Sequence, residues 1–495
     1  MKSIFKPAIM LMSGRLLGFL ATFVIPVVLV RVFSKEEFGT YKQLFLIYTT
    51  LYGIVQLGMA ESLFYFLPGA GSRQSGRYVF NAVWVLAAVG GLCFLLLWYL
   101  RAAIAHWFHN PTLTQYVPLI GLFLLFMLSA TVLEIVMISH KRHLYASSTY
   151  AISDFLRAAA CILPAILFQS LEWLLIGLVI FSGFRFLGTL LYLRHTEHSE
   201  LRPDTTLLRK QFAYAFPFAV SVFIATVQIN YHMYVVSSSY DVATFAIYAV
   251  GCLQIPLVDF LTTSTSNVMM VRIREYIQSG DSDSILGIWL DTTRKLMLLF
   301  APLVGGLLVV AHPLIVILFT DSYIKSVPLF MLWTVSILFS ALLTDSILRV
   351  YARTKLLIVL YFIQLGIIAG MIRLFMSWFG LEGAVLVSLL AMAVAKAAAL
   401  YRIKHILKTG IRQVLPWNSL SITLTITAVA AVPALLIERN LSLPALPLAF
   451  ITGLSYAGMY VVLLFLCGPL SRAEKQDLIA WLKWPLLRVY RNFVS

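Results

Sequence analysis

The chain has 495 residues, of which 61% are hydrophobic and only 12% charged, with a formal charge of +16. Soluble domains carry about 25% charged residues, so this share cannot dress soluble domains of this size, and the excess apolar surface calls for lipid. Too little polar sequence remains for a membrane-anchored kinase, a nuclease or an ATP-driven pump.

Apolar runs of spanning length, about 20 residues each, fall at 8–30, 41–66, 78–100, 116–139, 149–168 and 173–193. Six more follow at 212–237, 245–270, 292–318, 328–351, 356–378 and 382–401, then two at 420–437 and 446–467. The runs are continuous, not alternating, which excludes a strand barrel. The expected fold is an all-α polytopic membrane protein with about 14 transmembrane helices. The first run is too long for a signal-peptide core and reads as a retained span. With the N-terminus cytoplasmic, 26 Lys and Arg fall on the cytoplasmic side against 6 on the other, so both termini are expected in the cytoplasm of a cell inner membrane. The same count explains the basic balance without nucleic acid. The four cysteines, Cys93, Cys161, Cys252 and Cys467, lie in apolar runs and read as small buried hydrophobes. Residues 471–495 mix Leu, Ile and Trp with Lys and Arg and read as an interfacial amphipathic tail on membrane lipid.

The loop after the first span places Phe38-Gly39-Thr40-Tyr41 at the entry of the second. The loop after the seventh places Phe245-Ala246-Ile247-Tyr248 at the entry of the eighth, 207 residues later. Six spans separate the two, and six is even, so the halves share orientation and form a parallel repeat. The expected organisation is a six-span lobe over 1–205, a second over 206–412, two further spans over 413–470, and the tail. The run 31–69, with its Phe-Gly-x-Tyr entry and Leu67-Pro68 exit, resembles the opening of bacterial polysaccharide transporters. These are the PST or Wzx-type flippases of the MOP superfamily, which also holds MATE-like multidrug antiporters and lipid II flippases. The resemblance implies a MATE-like pair of lobes. It also implies movement of an undecaprenyl-pyrophosphate-linked oligosaccharide of O-antigen, capsule or exopolysaccharide across the cytoplasmic membrane. Many relatives carry an acidic–basic pair late in the seventh helix. Here Asn230-Tyr231-His232 stands there, so that pair's role is not carried over.

Charge inside hydrocarbon is expensive and needs a reason. Arg15, Arg157 and Arg185 lie about two turns from the cytoplasmic ends of first-lobe spans, the depth at which guanidinium groups would meet a pyrophosphate bidentately. Their competing role is to reach the interface by extending along the helix, which is the expectation for Arg373 and Lys396. Among the acids, Asp259 after Pro256 is the candidate for a coupling Na+ or H+, with Glu61 beside it as a second candidate and a pairing partner for Arg15. Glu134, Asp154 and Asp345 read as partners of neighbouring-helix cations, or as protonated carboxyls bonded to Thr or Ser. Gly14-xxx-Gly18 and Gly366-xxx-Gly370 read as close helix contacts. Asp281-Ser282-Asp283 imitates a metal-binding acid pair but reads as a solvated turn. There is no nucleotide-cradling loop and no hydrolase motif, so no enzyme and no cofactor are expected. The expected partners are a lipid-linked oligosaccharide, together with the polymerase and glycosyltransferases of its pathway. The alternatives are a lipid II flippase and a cation-coupled multidrug antiporter.

Overall fold

The computed structural model describes residues 5–196, 202–441, 443–472 and 474–476, and their side chains except those of residues 5–13, 15, 16, 72, 73 and 282. Among the described residues all regular structure is helical. In chain order the helices are α1 (Phe5–Val32), α2 (Lys35–Val55), α3 (Met59–Phe66), α4 (Ser72–Trp107), α5 (Leu113–Ala130), α6 (Val132–Ser139), α7 (His143–Phe168) and α8 (Leu171–Thr196). Next come α9 (Thr205–Ser239), α10 (Val242–Gly251), α11 (Pro256–Ser279), α12 (Ser282–Val309), α13 (Ala311–Phe319), α14 (Val327–Thr334), α15 (Ser336–Ser340) and α16 (Thr344–Val350). The last four are α17 (Thr354–Phe379), α18 (Leu381–Ile406), α19 (Trp417–Asn440) and α20 (Ala445–Cys467). Twelve stretches among the described residues are long and apolar enough to cross a membrane, and the pair α10 and α11, bent by 47°, makes a thirteenth. The first expected span lies in α1, apolar over Leu17–Val32. The chain is a multi-pass helical membrane protein.

Among the described residues five of the expected spans are interrupted, one of them at Val310 between α12 and α13. Leu57 and Gly58 adopt φ of 52° and 65° between α2 and α3, a region that suits Gly. At Thr131, between α5 and α6, the hydroxyl donates to the Met127 carbonyl at 2.9 Å. Before Pro256 the chain must leave the helical region, and Ile255 is extended. Leu343 leaves it between α15 and α16. The other four are the second and fourth of the first six and the second and fourth of the next six. Pro433 sits inside a continuous α19.

The described chain forms two compact units, residues 1–250 with 361–388, and residues 251–360 with 389–495. In the first, Gly14 and Gly18 of α1 lie where a Cβ would collide with Ser147 and Asp154 of α7, so the expected close contact is present and its partner is α7. Gly366 and Gly370 have no atom within 4 Å of a built Cβ. Their expected helix contact is absent because both face open space. In the second unit, Gly305 and Gly306 of α12 admit the ring of Tyr456 from α20, whose hydroxyl donates to the Pro302 carbonyl at 3.0 Å. Arg294 holds Glu474 and the Pro469 carbonyl against α12, and its guanidinium keeps the Glu474 carboxyl down at about 2. The amphipathic tail expected over 471–495 lies outside the described residues from 477 onward. Cys93, Cys161 and Cys252 are buried as expected, but Cys467, at the last position of α20, is exposed.

Candidate functional site

The site is built on the break at Thr131. Restarting the helix puts Glu134 in the first turn of α6, where free backbone N–H groups and the helix dipole favour a carboxylate. Glu134 is 2% exposed and Arg185 of α8 is 11% exposed. One guanidinium nitrogen of Arg185 donates to both carboxylate oxygens of Glu134, at 2.8 and 3.0 Å. Another donates to the Ser153 hydroxyl of α7. Its Nε is buried with no hydrogen-bond partner among the described residues. One turn along α7 from Ser153, Arg157 pairs with Asp154 at 2.9 Å.

These groups face one cavity of about 270 Å³. Ser153, Asp154, Arg157 and Arg185 supply its polar wall, and Tyr52 and Phe19 come from α2 and α1. Tyr52 is fixed by a 3.0 Å hydrogen bond to the Thr131 hydroxyl at the break. Two of the three predicted cations, Arg157 and Arg185, are therefore brought together in the first unit. The third, Arg15, lies in α1 four residues before Phe19, and its side chain falls outside the described residues. Each described arginine arrives with a carboxylate: Asp154 lines the cavity beside Arg157 on the same helix, whereas Glu134 is buried behind Arg185 and does not line it. Glu134 meets a cation from a neighbouring helix, as expected, whereas Asp154 pairs with Arg157 of its own helix.

Glu61 is not brought to this cavity. It lies in the first turn of α3, and its Oε2 is buried with no hydrogen-bond partner among the described residues. Asp259 lies in the first turn of α11 and lines a second cavity, of about 140 Å³, in the second unit. There it meets Thr334, Ser336 and Ser340 from the break between α14 and α15. Asp345 sits in the first turn of α16 and lies 3.6 Å from Lys396. Four intramembrane acids thus share one cause: each begins the second half of a broken span. Lys396 corrects an expectation. It does not extend to the interface but donates to the Leu342 carbonyl at 2.9 Å and to Thr344 at 3.0 Å, joining the Thr344 N–H, which also donates to that carbonyl, at 2.8 Å, in the turn between α15 and α16. Asp281 caps α12 by accepting from the Ser284 N–H and hydroxyl, the turn expected of it.

Sequence reasoning missed a buried polar cluster at the opposite end of the first unit. Asn110 donates to Thr40 at 2.9 Å and to Gln43 at 2.7 Å, and Gln43 donates to Ser237 at 3.0 Å. Gly39 lies so close to α10 that a Cβ would strike the Val242 carbonyl. Beside it, His232 and Tyr248 are 2.7 Å apart. The repeated Phe-x-x-Tyr entries therefore mark packing: Phe38, Tyr41, Phe245 and Tyr248 are all buried. Gln43 inside an otherwise apolar run was the available signal.

A broken-helix bundle with paired charges inside its spans defines a multi-pass helical membrane protein. Residues 28–328, more than half of the chain, match the family described as polysaccharide biosynthesis protein, and the chain belongs to that family. Its fold is like that of solved transporters described as members of the MOP superfamily. It is similar to the lipid II flippase MurJ in an inward closed conformation, with a TM-score of 0.72 at 11% identity over 93% of this chain and 98% of that one. It is also similar to the MATE transporter VcmN of Vibrio cholerae, with a TM-score of 0.57 at 14% identity over 82% of this chain and 96% of that one. An inward-facing multidrug resistance MATE family transporter gives 0.60 at 12% identity over 79% and 96%. These structures are flippases and transporters, not enzymes. No curated protein matches the chain.

Proposed function

We propose that this protein moves an undecaprenyl-pyrophosphate-linked oligosaccharide, the unit of an O-antigen, capsule or exopolysaccharide, across the cell inner membrane by alternating access. The observation that carries the reading is the pair Arg157 and Arg185 on one polar cavity inside the spans of a polysaccharide-biosynthesis family chain. A diphosphate has the charge and the paired oxygens that guanidinium groups bind best. Arg185 keeps Nε as a donor to spare, and Arg157 exchanges the partly exposed Asp154 for a phosphate oxygen. Both termini are cytoplasmic in this reading. Residues 1–205 and 206–412 act as the two lobes, and Arg15 joins the cationic set from α1. The pathway's glycosyltransferases and polymerase supply and consume the cargo.

The test is surface-polysaccharide export in cells whose own flippase is deleted. Arg157→Ala is expected to abolish export at unchanged membrane abundance. Asp154→Asn, which frees Arg157, is expected to tighten binding of undecaprenyl diphosphate by about tenfold, or about 1.4 kcal/mol. Normal export with Arg157→Ala would overturn the reading. Rescue of peptidoglycan-precursor export by the parent protein would assign lipid II instead, and drug efflux would assign the antiporter class.

Asp259, facing hydroxyls across a helix break, takes the coupling Na+ or H+ in this scheme. Broken helices hold such ions in transporters by half-helix ends and side chains together. Asp259→Asn is expected to leave diphosphate binding intact and to cut gradient-driven export at least about tenfold. Glu61 is the second candidate, and the same two measurements on Glu61→Gln decide between them. Export by Asp259→Asn that still follows an imposed gradient would remove Asp259 from that role.

A further inference from the structure

The polar cavity shares a wall with a second space. Ser153, Phe181 and Arg185 line the cavity and also an apolar groove of about 310 Å³ between α7 and α8. Leu133 and Met137 of α6 form its floor, and Leu156, Phe184 and Gly188 its sides. Phe184 is 71% exposed and Leu156 is 51% exposed, so the groove opens on the outer surface of the helices, where lipid lies. The two helices diverge for a local reason. Pro164 cannot donate to the Ala160 carbonyl, and Gly177 of α8 sits so close to that carbonyl that no Cβ fits. From that pinch point α8 runs about 16 Å to Gly188 at 1.5 Å per residue, where a Cβ would meet nothing within 4 Å.

We infer that this groove binds the isoprenyl chain of the substrate, with Ser153 and Arg185 as the threshold between chain and diphosphate. The occupant follows from continuity. A polar pocket and an apolar groove that share three residues accept one molecule with a charged head joined directly to a hydrocarbon chain. The branched chain lies against Leu, Met and Phe side chains while the diphosphate stays with the arginines. The inference rests on Arg157 and Arg185 being the head-group ligands.

The test separates the two claims. Protein in nanodiscs is titrated with undecaprenyl diphosphate and with citronellyl diphosphate, which share a head and differ in chain length. The parent protein is expected to prefer the long chain by about tenfold. Gly188→Phe, which fills the groove, is expected to erase that preference. Gly366→Phe, an equally open position on α17, keeps it. Phe184→Ser, at an exposed position whose truncation does not threaten the fold, is expected to reduce the preference several-fold. A long-chain preference that survives both Gly188→Phe and Phe184→Ser overturns the groove while leaving the head site standing. Equal competition by phosphatidylglycerol overturns it too, as a general lipid contact. If Arg157→Ala binds both diphosphates as the parent does, the head-site reading fails, and this one with it.

Discussion

Arg185→Met alone is expected to remove the protein from the membrane, while Glu134→Gln with Arg185→Met restores abundance but not export. The argument starts from burial. Glu134 is 2% exposed, and its charge is satisfied by the α6 helix start and by Arg185. Breaking a buried pair by removing one partner costs about 3–5 kcal/mol, because the remaining charge stays buried and uncompensated. A typical protein has only about 5–15 kcal/mol in hand. Removing both charges with groups of similar shape is close to neutral. Gln at 134 keeps the size of the carboxylate without its charge, and Met fills the space of the arginine stem. What the double variant lacks is the guanidinium, so export is expected to fall below detection although the protein is present. Thermal melting in detergent and immunoblots of membranes read the first half, and surface polysaccharide reads the second. Full export by the double variant would reduce the Arg185 pair to a structural fixture.

The difference between what could and could not be read beforehand follows from the physics of the bilayer. Span number and helical class were legible because a hydrocarbon core of fixed thickness demands apolar runs of matching length. Arg157 and Arg185 stood out because charge at that depth needs a stated partner. The breaks were harder. Pro256 and Gly58 are visible punctuation, and Thr131-Val132-Leu133-Glu134 has the Thr-x-x-Glu spacing of a helix start but is hidden inside a continuous apolar run, while Leu343 carries no such signal. Without the breaks, Glu134, Asp259 and Asp345 were isolated acids in apolar sequence. With them, each is a first-turn residue stabilised by a half-helix N-terminus. Lys396 was misplaced for the same reason, since the turn whose carbonyl it meets exists only where α15 ends early. The groove between α7 and α8 was invisible because it depends on where Gly177 meets Ala160, a contact between helices that no periodicity within one helix encodes.

Gly39→Val is expected to open the end of the first unit that the charge count places outside. A Cβ at Gly39 would meet the Val242 carbonyl and come within 2.7 Å of its Cγ1. Backbone cannot yield as a side-chain tip can, so α2 and α10 must separate. Overpacking of this kind costs about 1–3 kcal/mol, which a folded protein survives. The cost falls, however, on the cluster of Asn110, Thr40, Gln43 and Ser237, where Gln43 of α2 donates to Ser237 of α9 and Asn110 donates to Thr40 and Gln43. A cysteine placed by Ser237→Cys, at a position 0% exposed in the parent, is expected to resist an impermeant maleimide added from outside. In the Gly39→Val background it is expected to react at least about tenfold faster. A carrier that works by alternating access must close one end while the other is open, so a chain held open outside has no route for cargo from the cytoplasm, and export is expected to stop. If labelling rises and export continues unchanged, closure of this end is not part of the transport cycle, and Phe38-Gly39-Thr40-Tyr41 is a packing motif alone.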